Sequence, residues 1–178
     1  MKIKVGVMGS AGEIESDRRG EFQNRLRDLT RALASREVVL LTGATTGLIY
    51  DVGKAARDAG IQHVGISPAS SETEHTTQYQ LPTDACDLLI YTGFGLKGRN
   101  VVLVRSCDIV LFIAGAMGSL NEFTIAHDEG KIIGCLTETG GVADEVRRLI
   151  QTLHARSSAR IFYDNDPTSL LADCLAAL

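Results

Sequence analysis

The sequence predicts an α/β fold: a single Rossmann-like, doubly wound domain, with a mainly parallel sheet of about six to seven strands and helices on both faces. Three observations predict it. Strand-like and helix-like segments alternate from end to end of the 178 residues, and no internal repeat interrupts them. The most apolar run, VVLVRSCDIVLFI, is rich in Val, Ile, Leu and Phe, as a strand buried on both faces requires. Short loops of Gly, Ala, Ser and Thr follow three of the strands, at the sheet end where such folds carry their ligands.

Taken in order, Ile3–Met8 alternates as a strand and opens the sheet, and helical periodicity follows over Arg18–Ser35. A short apolar strand, Val38–Leu41, leads to a helix over Leu48–Ala59 and a strand over His63–Ile66. Leu88–Tyr91 is the next strand, and a helix over Gly98–Arg105 delivers the chain to the buried strand Asp108–Ile113. Helices over Leu120–Glu129 and Val142–His154 flank the apolar strand Ile132–Leu136. A less apolar strand, Arg160–Tyr163, and a helix over Thr168–Ala177 close the chain. The connection SPASSETEHTTQYQLPTDACD, between Ser67 and Asp87, is long and polar for this fold. It reads either as a surface excursion or as a lid, in which case Glu74, His75 and Tyr79 would meet the ligand.

Length and composition suit one domain spanning 1–178, with 44% hydrophobic and 22% charged residues. A net charge of −4 and the lack of a basic patch argue against extended nucleic acid and anionic membranes as partners. No signal-like segment or membrane-length apolar run is present, so a cytoplasmic protein is expected. Cys86, Cys107, Cys135 and Cys174 are scattered and read as reduced, buried thiols. His63, His75, His127 and His154 keep no ligand spacing, so neither a metal nor another cofactor is expected.

The three loops are GSAGE after the first strand, TGATTG after the second and AGAMGS after the fifth. Glycine admits an anion close to the backbone, hydroxyls donate to it, and a following helix N-terminus adds roughly half a positive charge. The candidate phosphate or nucleotide contacts are therefore Ser10, Gly43, Thr45, Thr46, Gly47, Gly115, Ala116, Met117, Gly118 and Ser119. Neither the dinucleotide fingerprint G-x-G-x-x-G after the first strand nor a P-loop occurs, which disfavours an ordinary NAD enzyme or NTPase.

GRNVVLVRSCDIVLFIAGAMGSLNE, together with TGATTGLIYDVGKAARDAGIQHVGISP, resembles the LOG-type proteins, a Rossmann-like family often mislabelled as lysine decarboxylases. That family carries an Arg early in a helix, a strand, and then P-G-G-x-G-T-x-x-E. Arg99 matches the Arg, while Gly115, Gly118, Ser119 and Glu122 match the first glycine, the last glycine, the Thr and the Glu. Ala114 stands for the Pro and Ala116 for the second glycine. An alanine that must take positive φ costs about 1–2 kcal/mol, or else the loop follows another course. The resemblance implies a nucleotide site with Arg99 and Glu122 as the catalytic pair, a homodimer, and release of the base from nucleoside 5′-monophosphates. The decarboxylase label fails on chemistry: none of Lys2, Lys4, Lys54, Lys97 and Lys131 sits where a Schiff base is suggested.

Two readings of the pair stay open on residues alone. Ser119-Leu120-Asn121-Glu122 reads as a capping box at a helix start, and Arg99 as a solvated helix residue or an ion-pair partner of a nearby acid such as Asp108. In the functional reading, Glu122 stabilises the cation that develops on ribose, or activates water, while Arg99 binds phosphate or ribose oxygens. The expected function is a phosphoribohydrolase acting on AMP or an N6-modified AMP; the alternative is a non-catalytic nucleotide sensor or regulatory module. The homodimer is expected through the apolar text at Asn100–Val104 and Phe123–Ala126.

Overall fold

The computed structural model describes residues 1–12 and 19–178. Seven strands and seven helices alternate: β1 Ile3–Gly9, α1 Arg19–Ala34, β2 Val38–Thr42, α2 Leu48–Asp58, β3 Gln62–Ser67, α3 Glu72–Thr77 and β4 Leu88–Tyr91, then α4 Gly95–Ser106, β5 Ile109–Ile113, α5 Met117–Asp128, β6 Ile132–Leu136, α6 Gly141–Leu153, β7 Arg160–Asp164 and α7 Pro167–Ala176. The expected strands and helices are all present, and α3 is an addition within the 67–87 connection. Glu13 of the first loop, and Arg18, the expected first residue of α1, lie outside the described residues.

All strands pair in parallel in the order β4-β3-β2-β1-β5-β6-β7. The chain builds outward from β1 to β4, then returns to place β5 on the other side of β1. That reversal opens a crevice at the carboxyl ends of β1 and β5, where Gly9 pairs with Ile113. β5 is at most 1% exposed along its length, as its unbroken apolar text demands.

The core is double. One apolar layer joins β1, β2 and β5 to α1, α2 and α7, and the other packs α4, α5 and α6 on the opposite face. The second layer uses much of the apolar text expected at a dimer surface: Leu103, Val104, Phe123 and Ala126 are buried within the chain's own core. Their hydrophobicity is therefore accounted for by the core. The exposed large apolar residues lie elsewhere, notably Leu88 and Ile90 on edge strand β4, and Phe94 and Leu96 at the start of α4. All four cysteines are free, three of them buried and Cys86 half-buried. Among the described residues, no helix is long and apolar enough to cross a membrane.

Candidate functional site

The three loops meet. A cleft of about 440 Å³ opens over the β1–β5 reversal, within the roughly 300–1,000 Å³ common for small-molecule sites. Ser10, Gly43, Thr45, Ala116, Gly118, Ser119, Arg99 and Glu122 line it, so eight of the twelve expected site residues converge there.

The other four do different work. Thr46 Oγ1 donates to the Ala11 carbonyl (2.9 Å) and ties the second loop to the first. Gly47, at φ 65°, packs against that same loop: a Cβ there would lie 2.5 Å from the Gly12 carbonyl oxygen, so the position needs glycine for fit as well as for its backbone angle. Gly115 and Met117 face a separate groove against α6, and Met117 is 74% exposed. The Gly115 carbonyl accepts from Val142 N–H and the Ala114 carbonyl from Ala143 N–H, both at 3.0 Å. Two amides at the start of α6 thus pin the AGAMGS loop.

That loop takes another course from the expected one. Ala116, which replaces the second glycine of the LOG pattern, is extended at φ −122°, so its methyl group costs nothing there. Positive φ falls instead on Ala114, at 53°, the position of the family's Pro. Proline is locked near −65° and could not adopt it. Ala116 is also the N-cap of α5, with Leu120 N–H reaching its carbonyl at 2.9 Å. The helix therefore starts three residues before the expected Leu120, and the capping-box reading fails: Ser119 lies inside the first turn, and its hydroxyl donates to Gly9 O (3.1 Å) rather than accepting from Glu122 N–H. No side chain caps α5, and its opening turn, carrying Gly118 and Ser119, borders the cleft.

Arg99 and Glu122 are both buried, at 4% and 7% exposure, in the second turns of α4 and α5. Asp108, entertained as an ion-pair partner of Arg99, pairs instead with Lys4 at 2.7 Å. The Arg99 guanidinium lies against Gly43: a Cβ there would sit 1.6 Å from Nη1. Gly43 thus serves the arginine, making room for it at the cleft floor. Arg99 Nε has no hydrogen-bond partner among the described residues. An unpartnered buried donor of this kind costs stability.

Burial pushes the Glu122 carboxyl up to about 7, against the opposing pull of Arg99 and Lys97. Burial likewise lowers the proton affinity of Arg99, with Glu122 opposing it. Each group is therefore poorer as an ion than in water, although the other is near. Near neutral pH, Glu122 can both hold and release a proton.

Nine lining residues were absent from the expected set, and three of them stand on α4. Lys97, considered above only as a Schiff-base candidate, lines the cleft, with its ammonium 3.9 Å from where a Gly118 Cβ would stand. Asn100 is buried beside Glu122, and Leu96 supplies an apolar wall. Because Lys97, Arg99 and Asn100 lie within one turn of α4, the helix itself was the available signal. The lid candidates, by contrast, belong to the framework. His75 is fully buried, hydrogen-bonded to Ser67 Oγ (2.8 Å) and the Pro82 carbonyl (3.1 Å), and Glu74 accepts from Ser70 N–H (2.7 Å). No residue of 67–87 lines the cleft, although the Tyr79 hydroxyl comes close to Gly95. Among the described residues, no three His, Cys, Asp or Glu side chains gather as a metal site.

Similarity to known proteins places this architecture. The X-ray structure of TM1055, a structural-genomics target, shares 25% identity at a TM-score of 0.84, over the whole of both chains. A molybdenum cofactor binding protein from Rippkaea orientalis has the same fold at 24% identity and a TM-score of 0.76, covering 99% of this chain and 97% of that one. The molybdenum cofactor carrier protein of Chlamydomonas reinhardtii does so at 23% and 0.74, covering 98% and 99%. An uncharacterized protein of Archaeoglobus fulgidus is 30% identical over 134 residues, 75% of this chain and 80% of its own. A model of the SLOG cluster4 family matches residues 2–171, in keeping with the LOG-like resemblance read from AGAMGSLNE and Arg99. On that match, which takes in nearly the whole chain, the protein belongs to the SLOG cluster4 family.

Proposed function

We propose that the cleft binds a nucleoside 5′-monophosphate and hydrolyses its N-glycosidic bond, releasing the base from AMP or an N6-modified AMP. The observation that carries this reading is the buried pair at the cleft floor, a guanidinium with an open donor beside a carboxyl that titrates near neutrality. In this reading the phosphate lies against the opening turn of α5, where Gly118 and Ser119 border the cleft and Lys97 adds charge. The ribose reaches Arg99 and Glu122. As the glycosidic bond breaks, the base leaves with the bonding pair and takes a proton from solvent while positive charge builds on the sugar; ionised Glu122 stabilises that charge and takes a proton from the attacking water, whose oxygen bonds to the anomeric carbon, and the Arg99 guanidinium donates to a ribose or phosphate oxygen.

A second reading has its own support: a protein that binds such a ligand and leaves it intact. The altered loop, with Ala114 at positive φ, departs from the LOG pattern where the phosphate contacts are expected, and two proteins of the same fold bind or carry the molybdenum cofactor. Incubation with AMP and N6-substituted AMP, followed by chromatography for free base, separates the two. Free base supports hydrolysis. Intact nucleotide together with a raised melting temperature supports binding alone, and a flat response to mononucleotides, cyclic nucleotides and ADP-ribose removes both. The homodimer stays part of the proposal, to be measured by light scattering at micromolar concentration, where a monomer would remove it.

A further inference from the structure

Asn100 is a buried polar group in the cleft wall with no part in the chemistry above. It is 3% exposed and follows Arg99 on α4. In one orientation of its amide, Nδ2 donates to Asn121 Oδ1 (2.8 Å) while Oδ1 faces two oxygens, Leu96 O and Glu122 Oε1; donor–acceptor matching favours the other, in which the nitrogen donates to Leu96 O at 3.0 Å and to Glu122 Oε1 at 3.1 Å. The Asn100 oxygen then faces Asn121 Oδ1 at 2.8 Å, so the Asn121 amide must turn over as well to donate to it. The contact joins α4 to α5 at the residue proposed to handle the proton.

A carboxyl oxygen that accepts an amide N–H has one lone pair committed, which favours the other oxygen as the site of the proton. We infer that Asn100 is a positioning residue for Glu122, holding Oε1 as a standing acceptor and leaving Oε2 as the oxygen that takes up and releases the proton. The charged and titratable groups that face the carboxyl are Arg99 and Lys97 on α4, and the Cys107 thiol at the end of that helix. The two cations favour ionised Glu122, whereas the thiol, pushed up to about 12 by burial, stays neutral. β1 lends the cleft only Val7, Met8 and Gly9, none of which titrates. The Asn100 N–H is thus the directional contact that sorts the two oxygens.

The inference deepens the proposed reaction, because it concerns the group given the proton there, but it can be tested in the free protein. The Glu122 carboxyl is titrated by carbon-13 NMR in the parent and in Asn100→Leu, which removes the amide at similar volume. Loss of a hydrogen bond to the charged form should raise the midpoint by about one unit. An unmoved midpoint in a folded variant with a lowered melting temperature would show that Asn100 only ties two helices together, and would overturn the inference. If the variant does not fold, the Asn100 side-chain amide protons are followed in the parent. They should shift with the Glu122 midpoint, and an amide indifferent to that titration refutes the assignment. Base release is measured separately on the parent, so absence of hydrolysis would remove the proposed reaction while the titration still decides the role of Asn100.

Discussion

The 67–87 connection and the cleft floor are both polar regions at the carboxyl edge of the sheet, and they differ in one physical respect. In the connection, His75 has a partner on each ring nitrogen, and Glu74 receives the amide of Ser70. At the cleft floor, Arg99 Nε has none among the described residues, and the Glu122 carboxyl stands near 7 because burial outweighs its cations. A saturated polar network holds a chain in place; an unsaturated one holds capacity for something that is not the chain. On this ground the proposal puts the ligand in the cleft, while His75, though histidine is the more familiar catalytic residue, is held as framework.

The largest expected effect tests that division directly. Glu122→Gln should lower base release by a hundredfold or more, the scale of a removed electrostatic or acid–base group. His75→Leu, assayed where it remains folded, should leave the rate per folded molecule unchanged. A Gln variant with near-parent turnover would return Glu122 to a structural role.

Stability should respond in the opposite sense. His75→Ala loses two hydrogen bonds, one buried and one part-buried, and leaves a cavity, for a cost of about 2–4 kcal/mol in urea unfolding. Arg99→Met removes a buried cation with an open donor and keeps most of the volume, so it should fall within about 1 kcal/mol of the parent or stabilise it. The same variant should lose the rise in melting temperature given by AMP. If Arg99→Met costs as much as His75→Ala, the arginine is framework too.

How far this difference was legible in the sequence depended on the kind of residue. The apolar text of Ile109–Ile113 could belong only to a buried strand, and the glycine-rich loops after β1, β2 and β5 had to share one edge once the sheet was parallel. The spacing of Arg99 and Glu122 likewise pointed to a pair. Satisfaction of hydrogen bonds is a three-dimensional property, and there the text misled: Glu74 and His75 looked available, while Asn100 looked like one more residue of an apolar helix. The start of α5 was misplaced for a backbone reason. Ser119 has the chemistry of a cap, but the extended Ala116 begins the helix first.

pH offers a smaller effect with a defined sign. The Glu122 carboxyl is raised from an ordinary value near 4.5 to about 7, so its contribution to stability is full below pH 4.5 and is lost as pH rises through 7. Glutamine has no such dependence and can still accept from Asn100. Glu122→Gln should therefore match the parent near pH 4 and exceed it by about 1–3 kcal/mol at pH 8, as read by urea unfolding at both values. A difference that does not grow with pH would mean that the carboxyl is ionised without penalty, and the contrast with Glu74 would disappear.

The smallest effect is that of a glycine in the loop that frames the cleft. Ala114 holds φ 53°, its amide donates to Thr139 Oγ1 (2.8 Å), and its carbonyl accepts from Ala143 at the start of α6. Glycine there relieves the positive-φ cost of about 1–2 kcal/mol but gives back part of it through a more flexible unfolded chain, for a net gain of about 0.5–1 kcal/mol. Proline, which the LOG pattern carries at this position, would lose the amide to Thr139 and could not reach the angle, so Ala114→Pro should cost at least about 3 kcal/mol. Thermal unfolding of the two variants measures both, and AMP binding to Ala114→Gly shows whether the strain matters to the ligand. Unchanged affinity in a more stable protein would locate the strain in the pinning of the loop by Thr139 and α6. Weaker binding would mean that the bent Ala114 itself holds the start of α5 toward the cleft, and that this loop has found another way to present the helix that the LOG pattern presents through proline and glycine.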